Sequence, residues 1–225
     1  MSFSVTNDKI DYEWAGKNLR TIFDIKNIFT IRYFKILRDI IRFSKLCENS
    51  TLIHDYSLKK FLYKNNFSKE FINLYLLPMC SSIWSSDLKD IKNYNTSFIL
   101  NFFKNHGLNN ILTKRPTWYT IKNGSKSYIK KIIKIVKPKI YLNEKVIKVD
   151  QKKKFIKTIK NKKYNYDHLI FANHTNQIKQ ILNRPERKQL KLLNVVKYQK
   201  NNITVHSDQN LMPKNFKNWS SWNYL

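Results

Sequence analysis

A chain of 225 residues with 42% apolar and 14% aromatic content can bury one large core or two small ones, which excludes a disordered polypeptide. No apolar run reaches the roughly 20 residues that span a bilayer, and residues 1–11 carry neither a basic start nor an apolar stretch, so the expected location is cytoplasmic. The net charge of +28 favours polyanions, but Lys outnumbers Arg roughly five to one, Asn and Ile are each about 12% and Ala with Gly about 2%, a skew of AT-rich coding rather than of nucleic-acid contacts.

In chain order, Phe3–Val5, a polar turn at Asn7-Asp8-Lys9 and Ile10–Trp14 alternate around a turn and predict a β-hairpin. From Ile25 to Leu46, apolar residues recur at three- and four-residue steps between Arg, Lys and Asp, which predicts amphipathic helix. Helices follow at Leu58–Tyr63, at the Ser68-capped run to Leu77 that Pro78 is expected to stop, and from Thr96 to Gly107, whose glycine suits a left-handed C-terminal turn. Trp118–Ile121 reads as strand, Asn123-Gly124 as a turn, and Ser125 as the cap of a helix Tyr128–Ile135 ended by Pro138. Short β-branched and aromatic runs at Lys139–Leu142, Lys145–Val149, Phe155–Ile159 and His168–Phe171 predict strands, with Lys152-Lys153-Lys154 at a hairpin tip. Helices at Asn176–Leu182 and Pro185–Leu193, a long strand Val195–His206 and an aromatic tail Trp219–Tyr224 complete the chain. Helices thus dominate the first half and strands with short helices the second, a mixed α+β or α/β chain contributing to two domains.

Several segments, taken together, resemble the flavin-containing amine oxidoreductase superfamily, the relatives of monoamine oxidase, protoporphyrinogen oxidase and phytoene desaturase. They are Met1–Val5, Glu13–Leu19, Tyr75–Met79 with Ile83-Trp84-Ser85, Phe102–Leu108, Arg115–Trp118, Gly124–Tyr128, Val146 with Asp167–Ala172, Leu211–Pro213 and Trp219–Leu225. They fall in the family's order along essentially the whole chain. The resemblance implies a partial two-domain FAD-dependent fold: a helical substrate domain at 1–122, part of the FAD-binding sheet at 123–190, and a return to the substrate domain at 191–225.

What the resemblance implies for cofactor and substrate is equally specific. Val146, Ala172, Asn173, His174 and Gly124 would border FAD, the backbone of Val146 pairing with the adenine edge while its side chain supplies apolar cover. Without the resemblance, Val146 reads as an ordinary strand valine. Asn173-His174 stands where the family often has a small residue and proline. Trp84, His106, Trp118 and Tyr119 would line the substrate cavity; plain core aromatics, and a helix C-terminal cap for His106, are the competing readings. With only Gly16, Gly107 and Gly124, no Gly-x-Gly-x-x-Gly can occur, so the chain is expected to be an internal piece whose full-length parent grips the FAD diphosphate elsewhere and transfers a hydride from a small or lipid-like substrate to flavin. Alone it would be inactive.

The remaining constellations are sparse. His54, His106, His168, His174 and His206 are scattered without ligand spacing, Cys47 and Cys80 read as buried thiols, and no catalytic acid or base is assignable, so no metal is expected. The amphipathic stretch 28–43 has two readings: a helix packed on the substrate domain, or a peripheral contact with the inner membrane face. A non-enzymatic basic module binding RNA or an anionic membrane is the alternative to the oxidoreductase.

Overall fold

The computed structural model describes residues 2–16, 30–49, 56–108, 117, 119–198 and 200–225. It is a mixed α+β structure of two units, residues 1–119 with 201–225, and residues 120–200. These divisions stand beside the 122/123 and 190/191 breaks expected from the sequence. No helix among the described residues is long and apolar enough to cross a membrane.

The first unit opens with the antiparallel hairpin of β1 (Phe3–Asn7) and β2 (Tyr12–Ala15), in register Val5 with Trp14. Asp11, in a left-handed conformation at φ 43°, turns the chain into β2. On the other side of β1 the C-terminal strand Trp222–Tyr224 pairs in parallel, Phe3 opposite Trp222. Glu13 fastens the same region: its carboxylate accepts from the amides of Lys214 (2.6 Å) and Asn215 (3.2 Å) and from Asn218 Nδ2 (3.2 Å).

Helix α1 (Ile31–Glu48) buries Tyr33, Ile36, Ile40, Phe43 and Cys47, the positions that a 3.6-residue repeat places on one stripe. The start of the predicted helix at 25–29 lies outside the described residues. Phe43 sits among aromatic neighbours, its ring 5.3 Å from Phe103, 5.8 Å from Phe71 and 6.2 Å from Phe67. α2 (Leu58–Lys64) begins at its Ser57 cap, whose hydroxyl accepts from Lys60 N, and α3 (Lys69–Phe71) at Ser68, whose hydroxyl accepts from Phe71 N.

Pro78 does not stop the helix there. The chain widens into a π-helical segment, Ile72–Leu76, and continues as α4 (Leu77–Trp84) with Pro78 in its first turn. Proline cannot donate, so the Leu74 carbonyl, four residues before it, receives no α-helical bond from position 78. The indole Nε1 of Trp14 donates to it at 3.0 Å. α5 (Leu88–Ile91) and α6 (Thr96–Asn105) complete the helical layer, capped by Asp87 and Asn95. Gly107, at φ 60°, ends α6 in a Schellman turn: Leu108 N donates to Phe103 O and Gly107 N to Lys104 O.

The second unit carries α7 (Lys126–Val136), the antiparallel meander of β3 (Val146–Asp150), β4 (Phe155–Thr158) and β5 (Lys163–Asn165), then α8 (Thr175–Ile181) and α9 (Arg187–Leu193). Lys152-Lys153-Lys154 lies in the β3–β4 turn. α8 packs on β3, and Val149, Ile178 and Leu182 are the buried apolar residues.

Several sequence expectations fail between residues 119 and 206. Lys139–Leu142, His168–Phe171 and the described part of Val195–His206 are not strands, nor are residues 119–121. β-branched runs become strands only where another edge takes up their amides and carbonyls, and no described strand lies alongside these. Ser125 makes no capping hydrogen bond; Ser127 Oγ donates to Gly124 O at 2.8 Å instead.

Candidate functional site

A cavity of about 420 Å³ opens in the second unit. Its sheet side is Val146, Val149 and Ile156, and its other wall is the extended segment Leu169–Asn173. α8 contributes Gln177, Gln180 and Ile181. The tertiary reason is the short bridge between β3 and the end of α8, where Asn183 N donates to Val149 O at 2.9 Å and Leu182 lies parallel to Val149. This holds α8 against β3, and 169–173 lines the same cavity.

The cavity is apolar at its floor and amide-rich at its rim. Val149 is fully buried and Val146 half-buried, whereas Asn173, Gln177 and Gln180 are exposed. Asn173 Nδ2 reaches Gln177 Oε1 at 3.5 Å. Side-chain amides carry donors and acceptors together, so this rim suits a heteroaromatic edge or sugar hydroxyls. β3 is an edge strand, and a β-bulge between Val146 and Lys148 interrupts its pairing with β4. Edge strands present main-chain amides and carbonyls to whatever lies beside them.

Among the described residues no carboxylate lines the cavity, and Lys145 is its cation. Nearby acids are engaged elsewhere. Asp150 accepts from Lys153 N (2.9 Å) and Asn183 Nδ2 (3.2 Å), and these bonds, the Lys153 amide foremost, hold its carboxyl below the usual range. Glu144 is similarly lowered by the Thr158 side chain, Lys162 and Lys160, the lysines standing at 3.2 and 3.6 Å.

The structure brings some of the sequence-picked residues together and separates others. Val146, Ala172 and Asn173 share this cavity. His174 does not line it: its ring stacks on Tyr198 at 4.3 Å, and Tyr198 Oη accepts from Thr175 N. Gly124, at φ 74°, turns the chain into α7 and is also absent from the lining. Gln177 and Gln180 were not picked from the sequence. Their three-residue spacing, one turn of a helix beginning at the Ala172-Asn173 corner, is the signal that would have found them.

In the first unit, Trp84 and His106 both contact the ring of Phe102. Phe102 lies 4.8 Å from Trp84 and stacks on His106 at 4.1 Å. His106 Nδ1 is 2.8 Å from Phe102 O, so the imidazole closes the end of α6 as it lines this aromatic cluster. Tyr119 is 89% exposed, and Trp118 lies outside the described residues, as does His54. Among the described residues no three His, Cys, Asp or Glu side chains gather as a metal site. Cys47 and Cys80 are buried thiols outside any disulfide, and burial pushes their pKa values up, which makes them poor nucleophiles.

No family model and no curated protein matches this chain. Among solved structures it is similar to a Pyrococcus furiosus protein determined as a structural genomics target, at 19% identity and a TM-score of 0.48. The match covers 69% of this chain and 39% of that one, so this chain spans less than half the length of that structure.

Proposed function

We propose that this chain is part of an FAD-dependent oxidoreductase of the amine oxidase type, and that the cavity of the second unit receives the adenosine half of FAD. The observation that carries this reading is the shared wall of Val146 with Leu169–Asn173. These stretches are some twenty residues apart in sequence, and the resemblance assigns both to the cofactor. At about 420 Å³ the cavity falls in the lower part of the ~300–1,000 Å³ range of small-molecule sites, a size for a nucleoside rather than a whole dinucleotide.

The packing of other family-like segments supports the same reading. Trp14 stacks on Tyr75 at 4.8 Å, and Trp222–Tyr224 pairs with Phe3–Val5. When bound in the parent enzyme, FAD would supply the redox chemistry, its flavin accepting a hydride from a C–H or C–N bond. The residues of this chain bind and orient: the edge of β3 meets the adenine, the Asn173, Gln177 and Gln180 amides meet base or ribose, and the Trp84–Phe102–His106 cluster offers an apolar wall for substrate. The 225 residues contain no Gly-x-Gly-x-x-Gly, so grip on the diphosphate is not expected from them.

The test is a titration of the isotopically labelled chain with AMP, GMP and FAD, followed by amide chemical shifts. AMP and FAD should bind equally weakly, with shifts centred on Val146, Ala172, Asn173, Gln177 and Gln180, and Val146→Glu should abolish them. Shifts centred elsewhere, or equal binding of GMP, would overturn the assignment.

A further inference from the structure

Helix α7 has no buried residue. On a helix of 3.6 residues per turn, Tyr128, Ile129, Ile132, Ile133, Ile135 and Val136 fall within one arc of about 160°, and Lys126, Lys130, Lys131 and Lys134 fall within the other. The apolar arc is open: Ile132 is 51% exposed, Val136 65% and Ile135 80%. The polar arc holds no acid. Between residues 120 and 200 the sequence has 23 Lys and Arg against four Asp and Glu.

We infer that α7 is an interfacial helix that lays its isoleucine arc into the surface of an anionic lipid bilayer. This goes beyond the cofactor reading and does not depend on it. Two observations choose the lipid. Five of the six arc residues are aliphatic; such side chains dissolve among acyl chains but do not stack on bases, which leaves Tyr128 as the arc's one platform for single-stranded RNA. A polar arc of four lysines and one serine, flanked by Lys122, Lys137 and Lys139, complements acidic headgroups, and flexible lysine stems reach them while the apolar arc is immersed. The same role falls less well on α1, the other amphipathic helix, because Tyr33, Ile36, Ile40 and Phe43 are already buried in the first unit's core.

Sedimentation of the full chain with vesicles tests the inference at physiological salt. Vesicles of phosphatidylcholine with about a third phosphatidylserine should bind it, and vesicles of phosphatidylcholine alone should bind it far more weakly. The triple change Ile129→Gln, Ile132→Gln and Ile133→Gln should lower binding at least tenfold with an unchanged circular dichroism spectrum, since none of the three is buried and Gln favours helix at least as well as Ile. Single Lys130→Gln or Lys134→Gln changes should each weaken binding about fivefold. Val146→Glu should leave vesicle binding intact, which keeps failure of the cofactor reading distinct from failure of this one. Full vesicle binding by the triple variant would overturn the inference, as would binding to RNA without binding to vesicles. A dimer that the triple change dissolves, with no vesicle binding by the original chain, would overturn it in favour of a contact between copies.

Discussion

Among the described residues of the helical unit, Asp39 is the one acid whose side chain is wholly buried, and it carries three tasks at once. Its Oδ2 accepts from Ser68 N at 2.7 Å, while Oδ1 accepts from Arg38 Nε (3.0 Å) and Arg42 Nη1 (2.9 Å). Arg42 in turn reaches Asn65 O at 2.6 Å and lies over the Phe67 ring. One carboxylate therefore ties α1 to the α2–α3 corner and fixes the Ser68 cap. Burial alone would raise its pKa, but the bonds from Arg38, Ser68 and Arg42 outweigh it and leave the pKa below the ordinary value. A lowered folded-state pKa means that the unfolded chain binds the proton more readily, so this stability is full above the unfolded pKa of about 3.9 and fades as pH falls through the folded one. Asp39→Ala should cost about 2–3 kcal/mol in urea denaturation at pH 7, and the gap between it and the original chain should shrink below pH 4. An unchanged gap down to pH 2 would show that Asp39 contributes by shape alone. From the sequence, Asp39 reads as one more polar residue between apolar ones. Its burial depends on the 56–71 segment folding back over α1, which periodicity does not encode.

At the scale of elements, the helix interrupted by Pro78 shows where local rules were legible and where they lost. The Ser68 cap and the glycine end of α6 are read from residues within five positions of one another, the first hairpin from about a dozen, and all are present. Pro78 is different, because its lost donor is made up by a residue more than sixty positions upstream. The Trp14 indole satisfies the Leu74 carbonyl, and the widened π-segment makes room for the ring. Trp14→Phe should keep the stack on Tyr75 yet leave that carbonyl bare, costing about 1–3 kcal/mol. In a Pro78→Ala background, position 78 can donate to Leu74, and the same change should cost measurably less. Additive effects in this double-mutant cycle would refute the exchange. The missed strands have the opposite cause. Lys139–Leu142, His168–Phe171 and Val195–His206 have the right residues for strands, but pairing is a property of neighbours, and none of the described ones is placed to pair.

Across the whole molecule, the two units differ in how much they bury. The first has a continuous aromatic and aliphatic core from Phe3 to Leu108; the second rests on Val149, Ile178 and Leu182 with a few half-buried neighbours. Backbone amides in β3–β5 and α8 should therefore exchange with solvent at lower opening free energy than those of α1 and α6. Hydrogen exchange by mass spectrometry reads this directly, and equal protection in both units would mean that the second is held by more than its own core. The candidate site was half legible for the same reason. Val146, Ala172 and Asn173 sit on or beside short elements that the sequence announces, whereas His174 was diverted by Tyr198, 24 positions further on. One further consequence lies in the sheet of the first unit, where Ser2 and Ser221, 219 positions apart in sequence, come within 3.3 Å. During synthesis the β1–β2 hairpin leaves the ribosome long before Trp222–Tyr224, the strand that pairs with the other flank of β1. The second unit, an insertion between these halves, is free to collapse first, so the slowest event in maturation should be the docking of Trp222–Tyr224, and truncating those three residues should trap the hairpin with an adhesive edge.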